Sequence, residues 1–520
     1  MNTNTNSTTN AGTQQQSQQP TQTTSVAQNT NVAQSTATTQ SSNTPNSSGA
    51  QTPNPNINWQ KVRMGFRYDG NGNLIGLNGN VFARHILSNF DIVTKDGAVF
   101  YMYSNNYWVE VINHELRKIL RKFFNSYEKD KWCTTFESIY WSNLSLEAKY
   151  TSQMQSGTNY INLVNGLYNL ETMALEPHNK DVFTTVQIPI DYNPNAAAPT
   201  FNYFLNDVFQ KDAELIQLTQ EIMGYCLSCS TQAQKMFVLL GEGANGKSLF
   251  CNILTALCGE KNVSSVSLRN LGRQFSKANL VDKLLNVSTE NEMTGTELNT
   301  EDIKAISSGD LVQVERKFEN PYSTKLYAKL MFSVNRLPYS RDNTYAIMRR
   351  LVILPFLKTY VESQPKGENQ GKVDLTLEGR ILAELDGIFN FALAGLQRLQ
   401  ANNYVFTKSQ KSAAILKEYQ LEINPFLDFV QSCIVPAEPN PKQPERKSIE
   451  IHELFSGFKE WCYEGNHKKL LDVTLKRFLK EVRLTLSSLG IPFSEGKSNG
   501  KQYFYGITFN EQMTLKLLNG

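Results

Sequence analysis

Residues 241–248 have the types and spacing that bind the phosphates of a nucleotide. They follow the pattern G-x-x-x-x-G-K-[ST], which ends in Lys247 and Ser248. Glycines let the backbone turn its N–H groups toward phosphate oxygens, the lysine reaches the β- and γ-phosphates, and the serine hydroxyl is a ligand for Mg²⁺. The predicted binding residues are Gly241, Glu242, Gly243, Ala244, Asn245, Gly246, Lys247 and Ser248, here called the phosphate loop.

Such a loop needs a strand before it and a helix after it. The apolar run 236–240 predicts a buried strand, and an apolar helical pattern follows as far as Leu257. The N-terminus of that helix would add positive potential at the phosphates. Gly243 and Asn245 are expected to tolerate positive φ. These flanks disfavour the alternative, a chance match in a glycine-rich loop.

Two further apolar runs end in polar residues that suit hydrolysis. Residues 283–287 predict a second buried strand, after which Glu290 could hold Mg²⁺ or polarise the attacking water. Glu292 is the second candidate, and solvated loop carboxylates are the alternative. Residues 328–334 predict a third strand, which ends at Asn335. Its amide could sense the γ-phosphate or orient the water.

Basic residues lie in two other segments of the same region. Arg349 and Arg350 precede a fourth apolar run, 351–356, and one of them could be an arginine finger. The alternating segment before Arg316, Lys317 and Phe318 predicts a β-hairpin. Basic and aromatic side chains at its tip suit a DNA backbone and a stacked base, whereas an ordinary exposed turn is an equal alternative.

The C-terminal region predicts a DNA-binding module. Two amphipathic helices, 448–463 and 474–486, precede a strand pair at 494–509. Lys476, Arg477 and Lys480 lie on the second helix, and this order is typical of a winged helix, in which one helix enters the major groove and the wing contacts phosphates. A protein-docking domain of the same fold is the alternative.

The composition of the chain indicates a disordered N-terminal tail, no membrane span and a reducing compartment. Residues 1–60 of the 520 contain no Lys, Arg, Asp or Glu, so residues 1–58 are predicted to be disordered and lack the features of a signal peptide. No stretch approaches the about 18 apolar residues of a membrane span. The seven cysteines, an odd number, indicate a reducing compartment, with Cys226 and Cys229 as packed thiols.

Residues 59–205 predict a small α+β domain before the phosphate loop. Asn165-Gly166 is a strong hairpin signal. The segment has no Asp-x-Asp pair in a strand–turn context, as a two-metal polymerase or primase site would require. No primase site is therefore predicted.

The order of these motifs resembles the superfamily 3 helicases of phages and plasmids, akin to primase-helicases of satellite phages and large DNA viruses. The similarity covers about residues 89–399, and its matching pieces are the phosphate loop, the strand ending in Glu290, the segment from Ser308 to Lys317, the segment 332–338, and Arg349-Arg350-Leu351. The resemblance implies an AAA+-like core, a ring-shaped hexamer, ATP bound between subunits and movement along DNA. By position, Lys247 and Ser248 would be Walker A, Glu290 Walker B, Asn335 the sensor, and Lys317 part of the pore hairpin. Many relatives carry a primase domain where this chain has its uncharged tail.

The predicted fold is α/β: a P-loop, AAA+-like core at 206–400, an α+β domain at 59–205, a helical and Pro-rich linker at 401–445, and a winged-helix-like domain at 446–520. The predicted function is an ATP- and Mg²⁺-dependent replicative DNA helicase of a phage, plasmid or mobile element. It would act as a homo-hexamer on single-stranded or forked DNA in the bacterial cytoplasm, with a separate primase or replication protein as a further partner. The alternative is an ATP-controlled origin-binding initiator or helicase loader.

Overall fold

A computed structural model describes residues 55–291, 300–317, 320–337, 345–437, 448–465, 467 and 470–519. Residues 56–520 form one unit by their internal contacts. Residues 1–54 of the predicted disordered tail lie outside the described residues. None of the helices in the described ranges is long and apolar enough to cross a membrane.

The first part of the unit packs helices against a four-stranded sheet, ordered β5-β4-β3-β6. Phe66, Phe82, Phe124 and Tyr140 are fully buried between them. The elements are α1 (Trp59–Arg63), β1 (Phe66–Tyr68), β2 (Leu74–Leu77), α2 (Gly79–Asn89), β3 (Ile92–Thr94), β4 (Phe100–Ser104), β5 (Tyr107–Val111), α3 (Asn113–Tyr127), α4 (Thr134–Glu147) and β6 (Lys149–Tyr150).

A three-stranded sheet, β10-β9-β8, leads toward the phosphate loop. The hairpin that Asn165-Gly166 predicts is confirmed, because Leu163 pairs with Gly166 across that turn. Two helices follow the strands. The elements are β7 (Gln155–Ser156), β8 (Tyr160–Leu163), β9 (Gly166–Asn169), β10 (Ala174–Glu176), β11 (Val182–Phe183), α5 (Pro199–Val208) and α6 (Ala213–Cys226), with short 3₁₀ turns at Thr151–Gln153 and Gly157–Asn159.

The described residues of the core form a five-stranded parallel sheet, ordered β13-β14-β17-β12-β18. Its elements begin with β12 (Met236–Leu240), α7 (Lys247–Cys258), β13 (Val263–Ser264), β14 (Leu285–Asn291) and α8 (Thr300–Ser308). They continue with β15 (Leu311–Val314), β16 (Tyr322–Lys325), β17 (Lys329–Val334), α9 (Tyr345–Met348), β18 (Leu351–Pro355), β19 (Thr359–Val361), β20 (Gln370–Lys372), α10 (Leu377–Leu382) and α11 (Leu385–Ala401). Short 3₁₀ turns lie at Glu260–Asn262, Leu268–Asn270 and Ser276–Leu280.

The sheet is apolar on both faces, which explains why its strands are continuous apolar runs. Successive side chains of β12 point to opposite faces. Phe237 and Leu239 join one hydrophobic cluster with α6, α7 and α11, whereas Met236 and Val238 join a second cluster on the other face. The second strand is longer than predicted, since β14 continues to Asn291 and contains Glu290.

The predicted β-hairpin is confirmed by the antiparallel pairing of β15 with β16, from Leu311 opposite Lys325 to Val314 opposite Tyr322. Arg316 and Lys317 follow β15 after one intervening residue, Glu315. Phe318, which was to form the tip with them, lies outside the described residues.

The C-terminal part has a separate hydrophobic core. A three-stranded sheet has the order β22-β24-β23, and β21 pairs with β25. Phe426 and Phe429 of the predicted linker pack in this core. The elements are α12 (Gln410–Ile423), α13 (Pro425–Cys433), β21 (Ile434–Pro436), β22 (Ser448–Glu450), α14 (Ile451–Glu464), α15 (Leu475–Ser488), β23 (Ser494–Ser498), β24 (Lys501–Tyr505), β25 (Ile507–Phe509) and α16 (Glu511–Asn519).

Candidate nucleotide site and DNA-facing surfaces

The phosphate loop connects the end of β12 to the start of α7 by a backbone in unusual conformations. Gly243 has φ +127° and Gly246 has φ +87°, which a residue without Cβ adopts at little cost. A Cβ on Gly241 would lie 2.6 Å from the carbonyl oxygen of Phe356. The loop therefore needs glycine at these positions for backbone conformation and for space.

Asn245 has a different role from the one its residue type predicts. The residue with positive φ is its neighbour Ala244, at +47°. The Asn245 side chain is 4% exposed, and its Oδ1 accepts a hydrogen bond from the Gly243 N–H at 2.5 Å. Asn245 thus stabilises the curvature of the loop through its side chain. It does not have the positive φ that its residue type was expected to tolerate.

Lys247 lies buried inside the curve of the loop, with 7% of its surface exposed. Its ammonium group donates to the Gly241 carbonyl at 2.6 Å, to Asn245 Oδ1 at 3.2 Å and to Asn335 Oδ1 at 3.5 Å. Burial lowers the pKa of this ammonium group. The three acceptors are neutral oxygens. Phosphate oxygens in their place would give the buried ammonium a negatively charged partner.

The strand register brings the other predicted residues to the same edge of the sheet. Val334 of β17 pairs with Leu240 of β12 on one side and with Asn291 of β14 on the other. The carboxyl ends of these three strands are therefore level, which places the phosphate loop, the backbone of Glu290 and Asn335 side by side. This proximity is the result of β17 lying between β12 and β14.

A Mg²⁺–triphosphate group fits the donors at this edge. Ser248 is exposed in the first turn of α7, where backbone N–H groups without a helical partner face outward. Its hydroxyl is a suitable oxygen ligand, and the level strand ends bring a second, carboxylate-bearing residue into the same region. The Glu290 side chain itself lies outside the described residues.

The two candidate finger arginines have different environments. Arg350 is 7% exposed and donates from Nε to Ser307 Oγ at 3.1 Å and from NH2 to Ser308 Oγ at 2.7 Å. It thereby links the start of β18 to the end of α8. Arg349 is exposed at the surface, and its carbonyl group accepts a hydrogen bond from the ammonium of Lys235.

Arg316 and Lys317, which are neighbours near the hairpin tip, have different environments. Arg316 forms a double ion pair with Glu110 of β5, through NH1 to Oε1 and through NH2 to Oε2, the latter at 3.0 Å. The Arg316 guanidinium is thus held by a carboxylate of the same chain, and its contact with DNA stays a prediction. Lys317 is exposed.

The three predicted DNA-contacting residues of α15 share an exposed surface. Lys476, Arg477 and Lys480 all lie on its solvent side, after an N-cap at Thr474. The turn between β23 and β24 contains Asn499 at φ +51° and Gly500 at φ +78°, as a tight hairpin requires. Basic residues on one helix and a protruding hairpin therefore form the polar surface of this domain.

Three further residues around the phosphate loop carry no signal in the sequence. Asp207 of α5 binds the side chains of Lys358 and Tyr360, which in turn contact the outer side of the loop. Asp207 is more than 30 residues before the loop, and the other two are more than 100 after it. Neither periodicity nor a motif connects such positions.

Comparison with known proteins identifies two segments of the chain. Residues 79–210 match a family described as D5 N terminal like. Residues 239–350, which include the phosphate loop, match a family of unknown function, DUF5906. The two segments together span the α+β region and most of the parallel sheet.

One curated relative is a protein of Acanthamoeba polyphaga mimivirus named "Putative helicase L207/L206". It is 20% identical over 346 residues, which are 63% of this chain and 35% of that protein. The chain thus spans about a third of the relative's length. The predicted resemblance to helicases of large DNA viruses is supported at this level.

Solved structures of the NrS-1 C-terminal region align with most of this chain at low identity. One apo structure aligns with a TM-score of 0.45 at 13% identity and covers 81% of this chain and 97% of its own. Another, of residues 305–718, aligns with a TM-score of 0.46 at 12% identity and covers 83% of this chain and 100% of its own.

Proposed function

We propose that this chain is an ATP-dependent DNA helicase with a superfamily 3, AAA+-like core, which acts in replication of a mobile element or virus. The observation that carries the proposal is the enclosed Lys247 ammonium, held among loop and strand-end oxygens at the level edge of a parallel sheet. The similarity to a mimivirus protein named as a helicase supports the same reaction class.

The proposed mechanism assigns the hydrolysis of ATP to residues of this edge. Lys247 and the N-terminus of α7 bind and orient the phosphates, because both present positive charge to the loop. Ser248 and Glu290 would hold Mg²⁺, which neutralises charge that develops on the phosphate oxygens. Glu290 polarises the attacking water, and Asn335 orients it. Lys247 leaves its three oxygen partners when the γ-phosphate arrives.

A neighbouring subunit would complete the site. Arg349 is the better candidate for the arginine finger, since its guanidinium is exposed while that of Arg350 is bonded inside its own subunit. This arrangement is the reason to propose a ring, with a homo-hexamer as the expected form. Mass photometry with and without ATP measures the stoichiometry.

Movement on DNA is assigned to the hairpin β15–β16 and binding to the C-terminal domain. Lys317 would contact the DNA backbone from the hairpin, and Lys476, Arg477 and Lys480 would contact it from the proposed winged helix. The sheet order β22-β24-β23, with two helices before its hairpin, supports a winged-helix module. DNA affinity should fall steeply with salt.

Strand displacement on a forked DNA, with ATP hydrolysis followed in the same sample, tests the proposal. The wild type should unwind and hydrolyse ATP, and Lys247→Ala should do neither. Lys516→Ala removes a lysine that is paired with Glu464 in the C-terminal domain, and it should behave as wild type. A wild type that hydrolyses no ATP contradicts the proposal.

The second candidate function is an origin-binding initiator or a helicase loader. The basic exposed side of α15 favours it, because that surface could bind DNA without translocation. Lys317→Ala separates the two. Loss of unwinding with ATP hydrolysis retained supports translocation, whereas DNA-stimulated ATP hydrolysis without strand separation by the wild type supports the second candidate.

A further inference from the structure

The outer side of the phosphate loop is bound by residues 358–360, which follow β18. The backbone N–H of Tyr360 donates to the Ala244 carbonyl at 2.7 Å. The carbonyl of Lys358 accepts from Asn245 Nδ2 at 3.4 Å. Since Ala244 and Asn245 form the turn of the loop, the position of residues 358–360 determines where that turn lies.

One carboxylate holds the side chains of both residues. Asp207 Oδ1 accepts from the Lys358 ammonium at 2.5 Å, and Oδ2 accepts from the Tyr360 hydroxyl at 2.7 Å. The side chains of Asp207 and Lys358 are 27% and 13% exposed, so solvent screens this contact only in part. Loss of this one carboxylate therefore removes two attachments of the segment 358–360, whose backbone contacts the loop.

The helix that carries Asp207 is itself firmly placed. The Glu384 carboxylate accepts from the backbone N–H groups of Thr200 and Phe201 at 3.0 Å each, which satisfies the N-terminus of α5. Phe204 is 2% exposed and packs beneath the loop, since a Cβ on Gly246 would lie 3.3 Å from its ring. Helix α5 is thus a rigid support for the loop.

We propose that Asp207 is a positioning residue that holds the phosphate loop in the conformation that binds nucleoside triphosphates, through Lys358 and Tyr360. It lies within the segment that matches the D5 N-terminal-like family, whereas the loop lies in the second matched segment. Helix α5, which precedes the phosphate loop in the chain, thereby controls the nucleotide affinity of that loop. The proposal rests on the proposed function of the loop as an ATP site.

Binding of ATP and of inorganic tripolyphosphate, measured by competition with a fluorescent ATP analogue, tests this role. Asp207→Ala should raise the Kd for both ligands about tenfold, because two polar attachments are lost. Tyr360→Phe, which loses one attachment and keeps the ring, should raise it about threefold. Asp207→Glu should restore most of the affinity. In steady-state hydrolysis the KM for ATP should rise while kcat stays within about twofold.

Two controls separate the failure of this inference from the failure of the proposed function. Glu464→Ala removes an exposed carboxylate from an ion pair in the C-terminal domain and should leave the Kd unchanged. If Asp207→Ala and Tyr360→Phe equal this control while Lys247→Ala abolishes binding, the inference is overturned. If the wild type and Lys247→Ala bind ATP equally, the proposed function fails instead. A Kd that rises for ATP but not for tripolyphosphate also overturns the inference, because the cluster would then contact the nucleoside.

A purely structural role would give a different pattern. It predicts that Asp207→Ala lowers Tm and weakens DNA binding together with ATP binding, and that Asp207→Glu restores neither. That result overturns the inference. If Asp207→Ala does not fold, Tyr360→Phe decides alone, since its ring remains packed against Gly371.

Discussion

Glu110→Gln should strengthen the binding of single-stranded DNA in the absence of nucleotide. The Glu110 carboxylate holds Arg316 at the base of the hairpin tip by two contacts, and the guanidinium lies 5.6 Å from the centre of the Tyr322 ring. Lys95 makes a second attachment from the N-terminal sheet, to Thr324 Oγ1 at 2.8 Å. DNA that uses Arg316 must first break its pair with Glu110.

The magnitude follows from the burial of this pair. The side chains of Arg316 and Glu110 are 27% and 20% exposed, between a surface pair and a buried one. Exposed pairs contribute about 0.2–1 kcal/mol and charge-assisted hydrogen bonds about 1.5–3 kcal/mol. An intermediate value of about 1 kcal/mol corresponds to a roughly fivefold lower Kd for DNA after Glu110→Gln.

Fluorescence anisotropy with a labelled oligonucleotide measures this change at two salt concentrations. Arg316→Ala should weaken binding, and the double variant should match Arg316→Ala, because the released arginine is then absent. Glu115→Gln is the matched control, since Glu115 is an exposed carboxylate on α3 that pairs with Lys118. It should change the Kd by less than about twofold, as expected for an exposed pair.

Two results would refute this reasoning. If Glu110→Gln binds DNA as tightly as wild type while Arg316→Ala binds weakly, the ion pair does not compete with DNA. If Arg316→Ala binds as wild type, Arg316 is no DNA contact and its role is confined to joining the hairpin to the N-terminal sheet.

Three other predictions concern hydrolysis, stability and pH. Glu290→Gln should keep ATP binding and lose turnover in a coupled phosphate-release assay, and near-normal turnover would transfer its role to Glu292. Glu221→Ala should lower the free energy of unfolding in urea by about 3 kcal/mol, because its buried carboxylate accepts from Arg398 at 2.8 Å and from Thr407 N at 2.7 Å. A loss below about 1 kcal/mol contradicts a buried, paired charge. Burial lowers the pKa of Lys329 to about 8, below its value of about 10.4 in an unfolded chain. The folded chain therefore binds fewer protons than the unfolded chain between these values, and the contribution of this group to stability rises with pH across that window, by up to about 1.4 kcal/mol per pH unit. Comparing wild type with Lys329→Met at pH 7.5 and 9.5 should show a difference that moves in favour of wild type, and a constant difference contradicts the shift.

The sequence by itself located the elements whose signals are local. The glycine spacing and its apolar flanks predicted the strand–loop–helix at 236–257. The apolar runs predicted the buried strands of the sheet, because a strand covered on both faces needs apolar residues throughout. Asn165-Gly166 predicted its hairpin, since the residue types that favour a tight turn lie at the turn itself.

Only the tertiary structure decided which distant residues meet. Periodicity and spacing describe neighbours along the chain, whereas Lys247 and Asn335 meet because β17, which ends just before Asn335, pairs with β12. The same limit applies to Arg316, whose charge predicted a DNA contact while a glutamate more than 200 residues earlier binds it in the fold. A charged side chain has the same residue type in either setting, so the partner that the fold supplies determines its role.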